Sequence, residues 1–133
     1  MNTRLIMTSC AITLVVAGIL LTFMPVETLR YMNLETTPAH QLIVKILGAL
    51  YFSFGMLNWM TRASIIGGIY NRPIAVANFT HFLIAGLGLM RGLVANPNLP
   101  YAVWLLAIVY SAFAISFGAI LFRHPKDPTP QQE

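Results

Sequence analysis

Four runs of about twenty mostly apolar residues make up most of this chain and leave little room for any other structure. They extend over residues 5–24, 42–60, 73–94 and 102–122. A helix rises about 1.5 Å per residue, so each run is long enough to cross a hydrocarbon core of about 30 Å. A helix also bonds its backbone groups internally, as lipid requires. We therefore predict an all-α integral membrane protein, a four-transmembrane-helix bundle with up-down-up-down topology.

The composition excludes a soluble globular domain. Of the 133 residues, 57% are hydrophobic and 9% are charged, against about 25% charged residues in soluble domains. The longest stretch between two apolar runs, residues 25–41, is too short to bury a core of its own. No soluble catalytic or nucleic-acid-binding domain fits into the chain, and nucleic acid is not expected as a partner. We predict one transmembrane domain over residues 1–123 and a disordered tail, rich in proline and glutamine, over residues 124–133.

The basic residues predict how the chain is oriented in the membrane. Cytoplasmic loops of membrane proteins carry the excess of Lys and Arg. If the N-terminus is cytoplasmic, five basic residues lie inside and three lie outside, so we predict that both termini and the tail are cytoplasmic. The net charge of +4 also favours anionic membrane lipid as a partner. The inner set is Arg4, Arg62, Arg72, Arg123 and Lys126, and the outer set is Arg30, Lys45 and Arg91.

Small and polar residues at steps of three or four mark the face by which each span meets the others, because helices associate in lipid through small residues and hydrogen bonds. The second and third spans are expected to be antiparallel neighbours. The second span presents Lys45, Gly48, Tyr51, Gly55, Asn58 and Arg62. The third presents Asn78, His81, Ala85 and Gly88, while Phe79, Phe82, Leu83 and Met90 mostly lie elsewhere on the helix and can face lipid. The fourth presents Ala107, Ser111, Ala114 and Gly118, and the first presents Ser9, Thr13 and Ala17.

An intramembrane ligand site is predicted between the second and third spans, formed by Tyr51, Asn58, Asn78 and His81. His81 lies about 12 Å along the helix from Pro73, near the middle of the bilayer. A histidine at that depth is costly unless a donor or acceptor pairs with it. Two roles stay open for His81: a structural hydrogen bond, or a part in ligand binding or proton relay. The expected partners are Tyr51, Ser111 and Asn78.

A second polar cluster is predicted at the outer mouth of the bundle, formed by His40, Lys45 and Arg91. Three roles stay open for Lys45 and Arg91. In the first, they form ion pairs with Glu27 and Glu35 and so fold the first loop as a lid. In the second, they hold an anionic headgroup or a carboxylated ligand, and in the third, they anchor the helix ends at the interface. The apolar residues of the first loop predict an interfacial helix, and residues 63–72 are predicted to form an interfacial loop.

Several functions are disfavoured because the residues they need are missing. All four acidic residues lie outside the spans, so an antiporter would have no intramembrane carboxylate. The three histidines, at positions 40, 81 and 124, fall at different depths, which argues against bis-histidine haem ligation. The single cysteine, Cys10, excludes an internal disulfide. We expect no metal and no resident cofactor, and we favour a non-enzymatic protein.

One segment of the second span carries a resemblance to known families. It follows a Pro-led loop, precedes Arg62 and reads Gly48-Ala49-Leu50-Tyr51-Phe52-Ser53-Phe54-Gly55-Met56-Leu57. It resembles the second span of small bacterial four-helix membrane proteins grouped as DoxX-like, and more distantly that of the ergosterol-synthesis scaffold family. The resemblance covers most of residues 5–123 and implies that Gly48, Tyr51 and Gly55 define the fold. It implies a scaffold role and supplies no catalytic residue.

These observations predict a non-enzymatic scaffold or accessory subunit of a complex in the bacterial inner membrane. Membrane lipid, or a quinone-like molecule between the second and third spans, is the expected ligand. A membrane-protein partner or a second copy of the chain is the expected protein contact. The alternative is a small integral membrane enzyme or carrier with a site centred on His81. A solvent-connected cavity around His81 would favour the alternative, and closed packing there would favour the scaffold.

Overall fold

The structure, a computed structural model that describes residues 2–64 and 71–122, is all-helical over those residues. The helices are α1 (Thr3–Phe23), α2 (Pro25–Tyr31), α3 (Pro38–Thr61), α4 (Arg72–Ala95) and α5 (Tyr101–Phe122). The four long helices are apolar enough to cross a membrane, which confirms the all-α bundle and the multi-pass class. The predicted tail, and most of the predicted loop between α3 and α4, lie outside the described residues.

Local sequence signals set the helix boundaries. Asn2 caps α1, where its side chain accepts a hydrogen bond from the backbone N–H of Leu5 at 3.4 Å. Thr37 caps α3 in the same way through the N–H of His40 at 3.2 Å, so α3 begins at Pro38, earlier than its apolar run. Proline stands in the first turn of α2, α3 and α4, where its missing N–H is not needed.

The helix predicted in the first loop is confirmed as α2. It ends in a turn in which Asn33 adopts a left-handed backbone with φ 56°. The N–H of Asn33 bonds the carbonyl of Arg30 at 3.0 Å, and the N–H of Leu34 bonds that of Leu29 at 2.9 Å. Asparagine tolerates the left-handed region better than most residues, which explains its place here. The turn directs the chain into α3.

The long helices form two closely packed pairs, α1 with α3 and α4 with α5, and the pairs are joined more loosely. We call the end of the bundle that holds Thr3, Thr61, Arg72 and Phe122 the terminal end. The opposite end, where α2 lies against α1 and α3, is the α2 end. The predicted neighbours α3 and α4 do contact each other through side chains, but their closest backbone contacts are with α1 and α5.

Glycine brings α1 and α3 into backbone contact. A Cβ on Gly18 would lie 2.6 Å from the backbone nitrogen of Phe52, and one on Gly55 would lie 2.9 Å from that of Val15. A Cβ on Gly48 would lie 2.8 Å from the nitrogen of Thr22. Real Cβ atoms do not approach so closely, so a larger residue at any of the three would push the helices apart. The prediction that Gly48 and Gly55 lie in a close helix contact is confirmed, and the partner helix is α1.

The main core fills the half of the bundle nearer the terminal end. Its buried side chains come from α1, α4 and α5, and α3 adds Tyr51 and Phe54 at the edge. Phe82 belongs to this core: it is fully buried and stacks on Phe117 at 5.9 Å between ring centroids. The prediction that Phe82 faces lipid was therefore wrong. It lies four residues after the buried Asn78, and positions four apart share a helix face.

The predicted interior face of α1 was wrong at Ser9, and its other two residues, Thr13 and Ala17, are half-buried. Ser9 is exposed, and the buried residues are Met7, Cys10, Ala11, Leu14 and Gly18. The Ser9 hydroxyl donates to the carbonyl of Ile6 at 3.0 Å, and that of Thr13 donates to the carbonyl of Ser9 at 2.9 Å. A hydroxyl satisfied by its own helix needs no partner in the interior. Ser and Thr spacing was for this reason a poor guide to the packed face.

Large apolar side chains cover the outside of the bundle. On α3 these include Leu42, Ile46 and Leu50, and on α5 they include Ile108 and Ile115, each more than half exposed. Water would disfavour such a surface strongly, whereas hydrocarbon would not. The surface is that of a membrane protein.

A tyrosine groove above a sealed asparagine pair

Asn58 of α3 and Asn78 of α4 form a reciprocal amide pair in the core. Asn58 Nδ2 donates to Asn78 Oδ1 at 2.9 Å, and Asn78 Nδ2 donates to Asn58 Oδ1 at 2.8 Å. Each Nδ2 also donates to a carbonyl of its own helix, that of Phe54 at 3.0 Å and that of Ile74 at 2.9 Å. Both residues are fully buried, and each amide N–H has an acceptor. The pair is a structural link between the two helix pairs, with no donor left for a ligand.

Cys10 completes this centre from α1. Its Sγ donates to Asn78 Oδ1 at 3.6 Å, so three helices meet at one amide. A thiol is a weak donor, and the contact adds little energy. It shows why the lone cysteine lies in the core: a small, soft side chain fits beside the amide pair.

His81 lies one turn beyond Asn78, and aromatic rings surround it. Its ring centroid is 5.0 Å from that of Phe82, 5.6 Å from those of Phe54 and Tyr110, and 5.7 Å from that of Tyr51. His81 Nε2 is buried and has no hydrogen-bond partner among the described residues. The ring edges offer it only weak contacts.

None of the three partners predicted for His81 bonds Nε2. Asn78 is occupied by Asn58, and the Ser111 hydroxyl donates to the carbonyl of Ala107 at 2.8 Å. Tyr51 is bonded to Tyr110 instead. Ser111 bonds its own helix, Asn78 bonds the predicted neighbour α3, and Tyr51 bonds α5, which the sequence had not paired with it. The expectation of a hydrogen-bonded His81 was wrong in this respect.

Two tyrosine hydroxyls meet across the bundle on the side of His81 nearer the α2 end. Tyr110 Oη of α5 donates to Tyr51 Oη of α3 at 2.7 Å. Tyr110 is buried and Tyr51 is half-buried. Sequence reasoning missed Tyr110, although a tyrosine in mid-span carries a hydroxyl that must find a partner, and this signal was available.

Beside the tyrosine pair a groove opens between α3, α4 and α5. Its volume is about 370 Å³. We call it the tyrosine groove; its lining residues are Tyr51, Ala85, Gly88, Leu89, Gly92, Leu99, Val103, Leu106 and Tyr110. All of them are uncharged, and the two tyrosines supply the only side-chain hydroxyls of the lining. Of the four residues predicted to bind a ligand, Tyr51 alone lines this groove.

Gly88 and Gly92 give the groove its space. A Cβ built on either would meet no atom within 4 Å, which sets them apart from the glycines of the α1–α3 contact. The prediction that Gly88 packs against another helix was wrong, because its side of α4 faces this opening. Near the α2 end a small cluster of Leu93, Val103 and Ala107 borders the groove, and Met32, just after α2, packs against that cluster.

The predicted outer cluster of His40, Lys45 and Arg91 is exposed at the α2 end. His40 Nδ1 lies 2.7 Å from the carbonyl oxygen of Glu35, to which it donates. Within residues 2–64 and 71–122 no ion pair forms between a glutamate and Lys45 or Arg91. The predicted stripe from Asn58 back to Lys45 consists mostly of steps of three residues. Each such step falls about 60° short of a full helical turn, so Lys45 lies off the packed face of α3. A headgroup site at these residues stays a prediction.

Comparison with protein-family models, with curated proteins and with solved structures finds no match. In the part of the chain that the structure describes, no three His, Cys, Asp or Glu side chains come together as metal ligands would. The described residues offer a ligand the tyrosine groove, its hydroxyl pair and the imidazole behind them.

Proposed function

We propose that this chain is a non-enzymatic scaffold or accessory subunit of a bacterial inner-membrane complex, and that its tyrosine groove holds one lipid or quinone-like molecule. The groove itself is the observation that carries the proposal. It is an opening of about 370 Å³ with apolar walls, two glycine positions that leave space unfilled, and a hydroxyl pair at its base.

The size and chemistry of the groove suit a small hydrophobic ligand. Ligand sites usually measure about 300–1,000 Å³ and combine apolar walls with a few polar groups. A bare apolar cavity in a protein excludes water, and hydrocarbon is the abundant alternative in a bilayer. Glycine inside a helix costs roughly 1 kcal/mol relative to alanine, so two glycines at which a Cβ would meet no neighbouring atom need another explanation. Room for a ligand supplies it.

An accessory role is supported by how the polar groups of the core are used. The Asn58–Asn78 pair is saturated, and its geometry links helices rather than presenting a reactive group. The exposed apolar surface leaves room for a neighbouring membrane protein or a second copy of the chain. The resemblance to DoxX-like proteins and to the ergosterol-synthesis scaffold family points the same way. Lys45 and Arg91, exposed at the α2 end, suit an anionic headgroup.

One observation favours the alternative, a small membrane enzyme or carrier centred on His81. Its buried Nε2 has no hydrogen-bond partner among the described residues, and such an atom is either a cost to the fold or a group kept for a ligand. His81 does not line the groove, however, and the two tyrosines with their neighbouring rings lie around it. The geometry thus favours a ligand that stops at the tyrosine pair.

Native mass spectrometry in mild detergent tests the proposal. The wild-type protein is expected to retain one hydrophobic adduct per chain. Gly88→Leu places a side chain into the open groove and is expected to remove that adduct while the protein stays folded. Ala112→Leu places the same leucine side chain at an exposed position of α5 and serves as the matched control. Equal retention of the adduct by the two variants would show that the groove is not the binding site.

A further inference from the structure

The hydroxyl pair at the base of the tyrosine groove has one donor more than it uses. Two tyrosines carry two O–H groups, and a single O–H···O bond of 2.7 Å joins them. Tyr110 donates and Tyr51 accepts, so the Tyr51 proton has no acceptor among the described residues. A hydroxyl proton rotates to reach an acceptor, and whichever tyrosine donates within the pair, one O–H remains. In apolar surroundings an unused donor costs free energy.

The position of the free donor defines what can satisfy it. Both tyrosines line the groove, so an acceptor placed in the groove can reach the pair. No other polar atom nearby bonds the pair among the described residues: the Asn78 oxygen accepts from Asn58 and Cys10, and the Ser111 hydroxyl donates to its own helix. The buried Nε2 of His81 makes no hydrogen bond with either tyrosine hydroxyl. No charged residue lines the groove. A charged ligand group at this depth would be left without a counter-charge.

We infer that the occupant of the tyrosine groove is an uncharged lipophile that enters with a carbonyl oxygen foremost, and that this oxygen accepts the free hydroxyl proton of the Tyr51–Tyr110 pair. The inference rests on the proposed function and narrows its ligand. The hydrocarbon body of the molecule lies along Gly88 and Gly92, and its polar end lies toward the bundle centre. An acyl chain of a membrane phospholipid would lie in the opposite orientation, with its terminal methyl group against the tyrosine hydroxyls.

Infrared spectroscopy of a labelled probe tests the inference. The probe is a straight-chain methyl ketone with an isotopic label at its carbonyl carbon, added to the full-length protein in lipid nanodiscs. A carbonyl that accepts a hydrogen bond absorbs at lower frequency than a free one. The wild-type protein is expected to lower the frequency of the bound ketone relative to the ketone in protein-free nanodiscs. Tyr51→Phe/Tyr110→Phe keeps both rings and is expected to abolish that shift and to weaken binding about two- to tenfold, as for one neutral hydrogen bond.

Gly88→Leu separates the inference from the proposed function, since it blocks the groove and leaves the hydroxyls in place. In one outcome the ketone binds the wild-type protein and the double-phenylalanine variant equally, with the same carbonyl frequency in both, and does not bind Gly88→Leu. That outcome would overturn the inference and leave the groove as a ligand-binding site. Ketone binding that Gly88→Leu does not reduce would overturn both. If the double variant does not fold, the wild-type band decides: an unshifted carbonyl frequency, or no binding, overturns the inference.

Discussion

At the scale of single residues, two buried polar side chains one turn apart on α4 are satisfied in opposite ways. The oxygen and both N–H groups of the Asn78 amide are hydrogen-bonded, whereas the Nε2 of His81 has no hydrogen-bond partner among the described residues. An amide is both donor and acceptor, so two amides complete each other. An imidazole needs a partner of one particular kind for each nitrogen. The asparagines therefore stabilise the bundle, and the histidine does not do so through Nε2.

Replacing one asparagine of the pair should lower the free energy of unfolding by more than half of the loss caused by replacing both. Asn58→Leu leaves the amide of Asn78 unpaired in the core, and we expect a loss of about 1–3 kcal/mol in the free energy of unfolding. Asn58→Leu/Asn78→Leu removes both members, and we expect it to cost clearly less than the sum of the two single changes. Unfolding of the four proteins in one detergent measures this. Strictly additive losses would mean that the pair is not coupled.

Removing His81 should not cost a hydrogen bond at Nε2. Because Nε2 has no partner among the described residues, His81→Leu relieves a buried unsatisfied atom, and we expect thermal stability no lower than that of the wild type. His81→Gln is the polar control. We expect both proteins to restore growth or another phenotype of a strain that lacks the gene. A stable, membrane-inserted His81→Leu protein without function would favour an enzyme or carrier centred on His81.

The candidate site was only partly predictable at this scale. The sequence singles out Asn58, Asn78 and His81 because polar residues inside apolar spans are rare. It does not say which of them pair, since hydroxyls at Ser9, Thr13 and Ser111 bond their own helices and the amides bond each other. Tyr110 escaped notice because an aromatic residue in a span reads as lipid-facing bulk.

At the scale of helices, glycines serve two purposes that look alike in sequence. Gly48 and Gly55 allow α1 and α3 to touch, whereas Gly88 and Gly92 leave an opening. All four lie in apolar spans at steps typical of a packed face. The number and length of the helices follow from the apolar runs, but the pairing of α1 with α3 and of α4 with α5 depends on how side chains fit, and spacing alone does not contain that information.

Alanine at Gly48 and at Gly88 should act in opposite directions. A Cβ on Gly48 would lie 2.5 Å from Thr22 Oγ1 and 2.8 Å from the Thr22 nitrogen, so Gly48→Ala must separate α1 from α3. We expect it to cost about 1–3 kcal/mol, as overpacking does. Gly88→Ala enters open space and should gain up to about 1 kcal/mol from helix propensity. Thermal unfolding in detergent compares them, and equal effects would show that the α1–α3 contact is not tight.

At the scale of the whole molecule, the two ends of the bundle differ in how they would meet a membrane surface. At the terminal end the Arg62 guanidinium lies 3.8 Å from the ring centroid of Trp59 and its Nη1 donates to the Trp59 carbonyl at 2.5 Å. This pair combines the cation and the aromatic ring that favour a membrane interface. The α2 end carries exposed Tyr31 and Tyr101. Both ends thus have interfacial aromatic residues, and the orientation depends on charge.

The charge distribution predicts that the terminal end is cytoplasmic, and cysteine labelling tests this. Cys10 is buried in the core, so Cys10→Ser removes the native thiol and keeps a donor beside Asn78. In that background Thr36→Cys reports on the α2 end and Ser64→Cys on the terminal end. Because positively charged loops stay inside, we expect an impermeant thiol reagent to label Thr36→Cys in intact spheroplasts and Ser64→Cys only after the membrane is opened. Labelling of Ser64→Cys alone in intact spheroplasts would reverse the orientation and place the α2 end on the cytoplasmic side.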